Sequence, residues 1–418
     1  MNILVVGSGG REHAIVKKIS ESKKVSKIYC APGNGGISDI AECVPIKVME
    51  FDKLIEFAKS NNIDLTVIGP DDPLVYGISD AFINAGLKVF GPVKEGAQIE
   101  GSKVFSKELM KKYNIPTAKY EVFEDYDKAL NYIKSENTYP AVIKAEGLAL
   151  GKGVIIANDF NEAQDALKEI MVDKIFGDSG NRVVIEEFLT GPEISVLSFC
   201  DGETIVPMVS AQDHKRAYDN DKGPNTGGMG TFSPSRIYTK ELEDECMNNI
   251  FIPTVKALRS EGIIYKGVIF FGLMSTKNGV KVIEYNARFG DPETQVVLPR
   301  LKTDIVDIFC AVCDGTLDKI NVEWEDNACV CVVEASGGYP KKYQTGYEIY
   351  GLDTVSDNVF VYHAGTKKED GKYYTQGGRV LGITAKSKDL DTAIADAYNA
   401  VDNITFTDVH YRKDIGIK

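Results

Sequence analysis

Short apolar runs alternate with helix-like stretches through the first 90 residues, and this alternation constrains the fold more than any other feature of the sequence. The apolar runs predict strands at 3–6, 27–30, 65–68 and 88–90. The stretches between them predict helices at about 12–20, 51–60 and 75–85. Strands and helices that alternate in this way predict an open parallel sheet, because parallel neighbours need a long crossover connection.

Glycine-containing turns follow three of these predicted strands. They are Gly-Ser-Gly-Gly-Arg-Glu-His from residue 7, Pro-Gly-Asn-Gly-Gly from residue 32 and Gly-Pro-Asp-Asp-Pro from residue 69. Such turns meet at the carboxyl edge of a parallel sheet, where open α/β sheets bind ligands. The first turn is not a dinucleotide fingerprint, because Glu12 replaces the third glycine and the second strand is not followed by an acidic residue. We expect a monophosphate or sugar phosphate at Gly9, Gly10 and Arg11, with a plain tight turn as the alternative.

The rest of the chain predicts two further regions. The Gly/Pro-rich passage 91–101 is interpreted as a linker. Beyond it, strands are predicted near 140–145, 153–157, 182–188, 194–199, 268–274 and 280–285. After Trp324, the pattern predicts strands at 328–334, 359–363 and 379–384 and a helix at 390–401. We therefore expect a multidomain α/β and α+β fold with domains at 1–101, 102–325 (a lid lobe at about 120–190) and 326–418.

Charge and hydropathy argue against several classes of function. The 418 residues contain 48 Lys and Arg against 61 Asp and Glu, and the net charge of −13 argues against binding to nucleic acid or to an anionic membrane surface. No apolar run approaches the roughly 18 residues of a membrane span, and the start of the chain is not typical of a signal peptide. We expect a cytoplasmic protein.

Eight cysteines, most of them in apolar surroundings, favour reduced thiols over a disulfide framework. Four of them, Cys310, Cys313, Cys329 and Cys331, have a spacing that faintly resembles a zinc site. The first two lie in a predicted buried helix and the other two in a predicted buried strand, which favours the interpretation as small core residues.

A second glycine-rich loop spans 143–154 and differs from a Walker loop. Lys144 ends a predicted strand and Lys152 lies in a flexible turn that leads into another strand, without a Gly-Lys-Ser/Thr sequence or a following helix. We interpret the segment as a hairpin flap that folds two cations over a polyphosphate. An ordinary hairpin with solvated lysines is the alternative.

Carboxylates in two later segments offer contacts for a nucleotide and a metal ion. Glu186, Glu187 and Glu193 follow a predicted buried strand, where they would accept hydrogen bonds from adenine and ribose or, as isolated residues, stay solvated. Strand alternation places Glu284 and Asn286 on one face. Their oxygens are the ligands that Mg²⁺ takes when it bridges nucleotide phosphates.

Arg288 follows these two oxygen ligands and precedes a Gly-Asp-Pro-Glu turn. An arginine at this position can stabilise the charge of a phosphoryl group in transfer, with a structural ion pair as the alternative. The four histidines lack a surrounding nucleophile–base motif, which favours catalysis by positioning and charge neutralisation.

Over nearly the whole chain, these motifs resemble those of the ATP-grasp superfamily and, within it, of the phosphoribosylamine–glycine ligase family. The matching stretches are 7–13, 32–35, 101–103, 144–154, 212–216, 223–230, 288–295, 337–340 and 412–416. The runs 212–230 and 284–295 distinguish this family from other ATP-grasp ligases. The resemblance implies an ATP-grasp fold with an N-terminal open parallel α/β domain and a small C-terminal α+β domain. It also implies ATP-dependent joining of glycine to 5-phosphoribosylamine through glycyl phosphate, with Mg²⁺ or Mn²⁺, in purine biosynthesis.

The resemblance further implies roles for individual residues. ATP would contact Lys103, Lys144, Gly151, Lys152, Gly153, Glu186, Glu187, Leu189 and Glu193, and the metal ion would contact Glu284 and Asn286. Phosphoribosylamine would contact Gly9, Gly10, Arg11, Asn34, Asp71, Asp72 and Pro73. Glycine and the amine would react among Asp213, Lys215, Asn225, Gly227, Arg288, Asp291 and Glu293. Arg288, Lys152 and Asp213 are the expected catalytic residues.

The chain departs from the family pattern conservatively at Glu146 and Asp71, and the segment 268–274 offers no second metal-binding carboxylate. We expect a monomer whose partners are small molecules. Three other functions compete with this expectation. They are an ATP-grasp ligase with another acceptor, which the run 212–230 disfavours, a nicotinamide oxidoreductase and a non-catalytic nucleotide sensor.

Overall fold

The computed structural model of the chain describes residues 1–148 and 153–417. Gly151 and Lys152, two of the predicted ATP contacts, lie outside the described residues.

The first region is an open parallel sheet, as the alternating pattern predicts. Its strands are β1 (Asn2–Gly7), β2 (Lys27–Pro32), β3 (Glu42–Cys43), β4 (Leu65–Ile68) and β5 (Val89–Phe90). Its helices are α1 (Gly10–Ser20), α2 (Phe51–Ser60), α3 (Asp71–Val75), α4 (Ile78–Asn84) and α5 (Lys94–Gly101). The strand order is β3-β2-β1-β4-β5, and every neighbouring pair is parallel. Residues 3–6 of the central strand are fully buried, because side chains pack on both faces of the sheet.

Two predictions in this region are wrong in detail. The passage 91–101 is not a linker, since α5 fills most of it and buries Ala97 and Ile99. Gly96 suits this helix because a Cβ there would lie 3.1 Å from the ring of Tyr265. The single helix predicted at 75–85 is two helices, α3 and α4, which are separated at Gly77, where φ is +92°.

The second region contains two four-stranded antiparallel sheets. One comprises β6 (Tyr120–Phe123), β7 (Ala141–Ala145), β8 (Val154–Ala157) and β9 (Val183–Glu187), in the order β6-β9-β7-β8. The helices near it are α6 (Lys103–Lys112), α7 (Tyr126–Glu136) and α8 (Phe160–Leu167). The antiparallel pairing of β7 with β8 confirms the predicted hairpin.

The other sheet carries the second half of the predicted site. Its strands are β10 (Glu193–Cys200), β11 (Ile205–Pro207), β16 (Gly267–Thr276) and β17 (Gly279–Asn286), in the order β11-β10-β16-β17. Between β11 and β16 lie β12 (Gln212–Asp213), β13 (Arg216–Tyr218), β14 (Lys222–Asn225), β15 (Gly230–Ser233), α9 (Lys240–Cys246) and α10 (Ile252–Ser260). After β17 come α11 (Thr294–Val297) and α12 (Ile305–Asp314).

The third region shares its sheet with the second. Its elements are β18 (Ala328–Ser336), β19 (Val359–His363), β20 (Thr366–Glu369), β21 (Lys372–Thr375), β22 (Arg379–Ser387), α13 (Leu390–Val401) and β23 (Val409–His410). The sheet order is β12-β15-β18-β22-β19, and β23 pairs with β18. Because β12 and β15 belong to the segment 212–233, this sheet joins the two regions rather than closing within one of them.

The cysteine pairs lie on the predicted helix and strand, with Cys310 and Cys313 on α12 and Cys329 and Cys331 buried on β18. All four contribute to one apolar core, which agrees with the interpretation as small core residues. Within 1–148 and 153–417, no helix is long and apolar enough to cross a membrane.

One buried carboxyl group on β18 lacks a hydrogen-bond partner. Glu334 is 0% exposed and neither of its carboxyl oxygens meets a partner within the described part of the chain. Burial raises the pKa of Glu334 well above its ordinary value, so the folded chain keeps this proton to a higher pH than the unfolded chain does. The resulting stability is fully present below the ordinary carboxyl pKa and is lost as the pH rises through the raised pKa.

Glu334→Gln should therefore stabilise the fold, and increasingly so from about pH 5 to about pH 8, because the amide does not titrate. We expect a gain of about 2 kcal/mol in the free energy of unfolding at the upper pH, measured by urea denaturation at both pH values. Glu369→Gln, at an exposed carboxylate of the same region, is the control. A pH-independent difference between Glu334→Gln and the natural chain would contradict this account of Glu334.

Candidate active site

Polar side chains from all three regions meet around the turn that follows β17. Arg11 Nη1 donates to the carbonyl oxygen of Phe289 at 3.2 Å. Arg288 Nη2 lies 2.7 Å from Glu100 Oε1, and Arg379 Nη2 lies 3.2 Å from a carboxylate oxygen of Asp291. The carboxyl edge of the parallel sheet, the end of β17 and the start of β22 therefore form one site.

A buried carboxylate on β9 holds two lysines. Glu186 Oε1 lies 2.9 Å from Lys144 Nζ, and Glu186 Oε2 lies 2.9 Å from Lys107 Nζ. Burial lowers the pKa of Lys107 to about 8, although the charge of Glu186 acts in the opposite direction. Lys107 and Lys144 thus lie beside the carboxylate of Glu186, and its contact with adenosine remains a prediction.

Lys103 connects α6 to the predicted flap. Its Nζ donates to the carbonyl oxygen of Gly147 at 3.0 Å. Burial lowers the pKa of Lys103, and the neighbouring charge of Lys144 lowers it further. Lys107, which sequence reasoning missed, is four residues from Lys103 on the same helix face, and this spacing is the signal that would have identified it.

The other predicted adenosine contacts lie around the β9–β10 connection. Glu187 Oε1 is 2.8 Å from Lys281 Nζ and accepts the Lys119 N–H at 3.0 Å. Leu189 lies between the two strands, and Glu193 begins β10. Glu193 pairs with Lys215 at 2.9 Å, so it extends towards the reaction site.

Glu284 and Asn286 provide a suitable oxygen pair for a divalent metal ion. They lie on one face of β17, while Tyr285 between them is buried in the core. Burial acts to raise the pKa of Glu284, but the positive charges around this carboxyl have the larger effect. The pKa of Glu284 is therefore below its ordinary value, and the carboxyl is ionised. The cations responsible are Lys215, Lys144, Lys103 and Arg288.

The protein supplies few further ligands for such an ion. Gly272 lies opposite Glu284 on β16 and offers no side-chain ligand there. The described ranges contain no cluster of three or more His, Cys, Asp and Glu side chains suited to a metal. The residues therefore fit an ion that takes its remaining ligands from nucleotide phosphates and water.

The glycines of the first turn surround a carboxylate. Glu12 Oε2 accepts the Gly9 N–H at 2.6 Å, and Glu12 Oε1 lies 2.6 Å from Arg11 Nε. A Cβ on Gly7 or Gly69 would collide with the Glu12 side chain. The glycines thus make room for the Glu12 side chain, and the Gly9 N–H is used by that carboxylate. This arrangement argues against a dinucleotide pyrophosphate at the turn. A phosphate contact at Gly9, Gly10 and Arg11 remains a prediction.

Asp71, Asp72 and Pro73 form the first turn of α3. Burial raises the pKa of Asp71, but the adjacent guanidinium groups of Arg288 and Arg11 lower it below its usual value. Burial and the charge of Asp71 raise the pKa of Asp72. Asp71 therefore faces the arginines of the site.

Asn34 has a side chain that is already fully used. Its Nδ2 donates to the carbonyl oxygens of Ser8 and His363, and its Oδ1 accepts the N–H groups of Gly36 and Ile37. Its amide connects the loop after β2 to the third region. The predicted contact with substrate would fall to the backbone of this loop.

Asp213 and Glu293 form a carboxyl pair with raised pKa values. Burial and the charge of Glu293 raise the pKa of Asp213 well above its usual range. Glu293 Oε1 accepts from Ser195 Oγ at 3.1 Å, and burial raises the pKa of Glu293. Asp213 Oδ1 is buried without a hydrogen-bond partner among the described residues. Asp213 can therefore accept a hydrogen bond or a proton from a bound molecule.

Arg379 is a site residue that sequence reasoning missed. Its Nη1 donates to the carbonyl oxygens of Gly227 at 2.7 Å and Asp291 at 2.9 Å. The Gly227 N–H donates to the hydroxyl oxygen of Tyr339 at 3.1 Å, while Asn225 ends the neighbouring strand β14. The sequence around Arg379 contained no pattern that indicates this contact, because it depends on the pairing of β18 with β22.

Comparison with known proteins gives a consistent picture. The phosphoribosylglycinamide synthetase family matches the chain as its N domain over 1–100, its ATP-grasp (A) domain over 101–294 and its C domain over 329–418. The phosphoribosylamine–glycine ligase of Caldanaerobacter subterraneus subsp. tengcongensis is 53% identical over 99% of both chains. That of Clostridium acetobutylicum is 52% identical over 100% of this chain and 99% of its own length.

Solved structures extend the comparison to the fold. The crystal structure of phosphoribosylamine–glycine ligase from Thermotoga maritima has a TM-score of 0.86 at 33% identity and covers 99% of this chain and 100% of its own. A biotin carboxylase from Campylobacter jejuni has a TM-score of 0.75 at 14% identity, covering 100% of this chain and 94% of its own. The second likeness concerns the fold alone.

Arg379→Met should loosen the turn at 226–229. Loss of charge-assisted hydrogen bonds to Gly227 and Asp291 should raise amide hydrogen exchange in that turn about tenfold, while exchange within β18 stays unchanged. Lys386→Met, on the same strand β22, is the matched control. Unchanged exchange at 226–229 would show that Arg379 does not hold the turn.

Proposed function

The chain belongs to the phosphoribosylamine–glycine ligase family, and on this premise we propose that it joins glycine to 5-phosphoribosylamine through glycyl phosphate. It is an ATP-dependent ligase of purine biosynthesis. The observation that carries the proposal is the group of cations, Lys103, Lys144, Lys215 and Arg288, around the ionised carboxylate of Glu284. Such a group suits the phosphates of ATP beside a carboxylate substrate.

The first step is phosphoryl transfer to glycine. A carboxylate oxygen of glycine attacks the γ-phosphorus of ATP, the bond between that phosphorus and the β–γ bridging oxygen breaks, and ADP leaves. Lys103 and Lys144 neutralise the phosphates, and Arg288 stabilises the charge of the phosphoryl group in transfer. A Mg²⁺ or Mn²⁺ ion held by Glu284 and Asn286 would neutralise charge on the nucleotide phosphates.

The second step forms the amide. The amine of phosphoribosylamine attacks the carbonyl carbon of glycyl phosphate, the carbon–oxygen bond to phosphate breaks, and the amine loses a proton. The ionised form of Asp213 is the proposed acceptor of that proton, because its buried oxygen has no partner within the described ranges and a raised pKa makes its carboxylate a stronger base. The products are glycinamide ribonucleotide, ADP and phosphate.

Phosphoribosylamine would bind at the carboxyl edge of the parallel sheet. The turn at Gly9–Arg11 lies near Arg288 because Arg11 donates to the carbonyl oxygen of Phe289, the next residue. The turn at Asp71–Pro73 lies near Arg288 as well, since the charge of Arg288 lowers the pKa of Asp71. This position would bring the amine towards the acyl phosphate. Lys152, the other expected ATP contact and catalytic residue, lies outside the described residues, and its role stays a prediction.

ADP formation should require glycine and phosphoribosylamine together, because an acyl phosphate is protected from water only when the acceptor fills the site. The measurement is a coupled assay of ADP in which phosphoribosylamine, which hydrolyses quickly, is generated continuously. Controls omit one substrate at a time, and addition of NADH in a fluorescence titration tests the oxidoreductase alternative. An equal rate of ADP release without either substrate would contradict the proposal.

Glu284→Gln should lower kcat about a hundredfold and raise the Mg²⁺ concentration needed for half-maximal rate, because the variant loses a charged oxygen ligand. Asn286→Ala should have the same kind of effect. Turnover against Mg²⁺ concentration is measured for both variants and for Glu121→Gln, a control at an exposed strand carboxylate. Normal turnover at low Mg²⁺ in both site variants would contradict the metal assignment.

A further inference from the structure

Glu100 is a buried carboxylate that contacts two consecutive residues after β17. It lies in the last turn of α5 and is 8% exposed. Its Oε1 is 2.7 Å from Arg288 Nη2, and its Oε2 accepts the Ala287 N–H at 2.6 Å. One carboxylate therefore holds both the backbone before Arg288 and the guanidinium group of Arg288 itself.

One of the three guanidinium nitrogens of Arg288 has no hydrogen-bond partner among the described residues. Nη1 donates to the carbonyl oxygen of Phe289 at 3.3 Å, and Nη2 contacts Glu100 and donates to Asn286 Oδ1 at 3.5 Å. Its Nε is buried and has no hydrogen-bond partner in the described ranges. A buried donor without a partner is costly, so its presence in the reaction site points to a ligand atom that completes it.

The carboxylate of Glu100 is kept in an unfavourable environment. Burial raises the pKa of Glu100 to about 7; the charge of Arg288 opposes this shift and that of Asp71 adds to it. Asp71 also faces Arg288, but only Glu100 forms an ion pair with that guanidinium within the described part of the chain. The chain therefore retains a second acidic group beside Asp71, and both carboxylate oxygens of Glu100 contact the Ala287–Arg288 segment.

We propose that Glu100 is a positioning residue, which fixes the guanidinium of Arg288 so that its Nε–H is directed to the phosphoryl group in transfer. The proposal rests on the proposed function. It concerns geometry: a planar guanidinium held at one edge by a carboxylate presents its other donors in a fixed direction. Nothing in the reaction passes through Glu100 itself.

The position of Glu100 in the chain also connects Arg288 to the phosphate lysines. Two residues after Glu100, Ser102 Oγ donates to Glu146 Oε1 at 2.9 Å, and Lys103 contacts Gly147. The short segment 100–103 therefore contacts both the β17 turn and the base of the predicted flap. A shift of this segment would displace Arg288 and Lys103 together.

The test compares Glu100→Gln with the natural chain in the full reaction. The amide fits the same space and can still accept the Ala287 N–H, but it loses the charge that holds Arg288. We expect kcat to fall about a hundredfold, while the KM for ATP changes by less than about threefold. Glu325→Gln is the control, because it removes a carboxylate that pairs with Lys386 at 3.1 Å outside the site, and it should leave kcat unchanged.

A second variant separates positioning from folding. Glu100→Asp keeps the charge with a shorter reach and should recover about tenfold in kcat over Glu100→Gln while staying below the kcat of the natural chain. If Glu100→Gln does not fold, Glu100→Asp decides alone: a reduced kcat at unchanged KM for ATP supports the proposal, and the natural kcat overturns it.

The possible failures are distinguishable. A natural chain that forms no ADP with both substrates refutes the proposed function. A natural chain that turns over, together with a Glu100→Gln variant of equal kcat, refutes only the role of Glu100. A Glu100→Asp variant as slow as Glu100→Gln would likewise overturn it, because the charge would then not be what positions Arg288.

Discussion

The buried charged and polar groups on the turn after β17 each need a partner, and those partners come from different parts of the chain. Arg288 meets Glu100 at the end of α5, Asp291 meets Arg379 at the start of β22, and the carbonyl oxygen of Phe289 accepts from Arg11 at the start of α1. Because an unpaired charge in this position would be strongly destabilising, the turn fixes how the three regions approach one another.

The same requirement explains the composition of the site. The carboxylates Glu186 and Glu284 lie among lysines, and these carboxylates hold an excess of positive charge in place. Polyphosphate binding then needs little rearrangement of these side chains, which is the condition for electrostatic stabilisation of a phosphoryl group in transfer. The proposed catalytic groups are thus also structural groups.

Local sequence patterns predicted most of the elements. Alternation predicted β1, β4 and β18, and the amphipathic pattern predicted α13 at the residues where it is found. The passage 91–101 was misinterpreted because its glycines and proline obscured the buried residues Ala97 and Ile99. The placement of Glu284 and Asn286 on one face followed from strand alternation, since both residues belong to one strand.

Contacts between distant segments could not be predicted. Glu100 and Arg379 acquire their partners only through the packing of α5 beside β17 and the pairing of β18 with β22. The role of Glu12 was hidden for a similar reason, because the space it fills is bounded by Gly7 at the end of β1 and by Gly69 just after β4. Residue type and spacing identify groups within one segment, whereas these groups are defined by tertiary contacts.

The central claim is that the carboxylate of glycine, rather than water or an enzyme nucleophile, accepts the γ-phosphoryl group. Glycine labelled with ¹⁸O in its carboxylate tests this in a single-turnover reaction, with the phosphate analysed by mass spectrometry. If glycyl phosphate forms, one carboxylate oxygen becomes the bridging atom and leaves with the phosphate when the amine attacks. The account predicts one labelled oxygen in each inorganic phosphate and no oxygen from solvent water. Unlabelled phosphate recovered beside the amide product would contradict it.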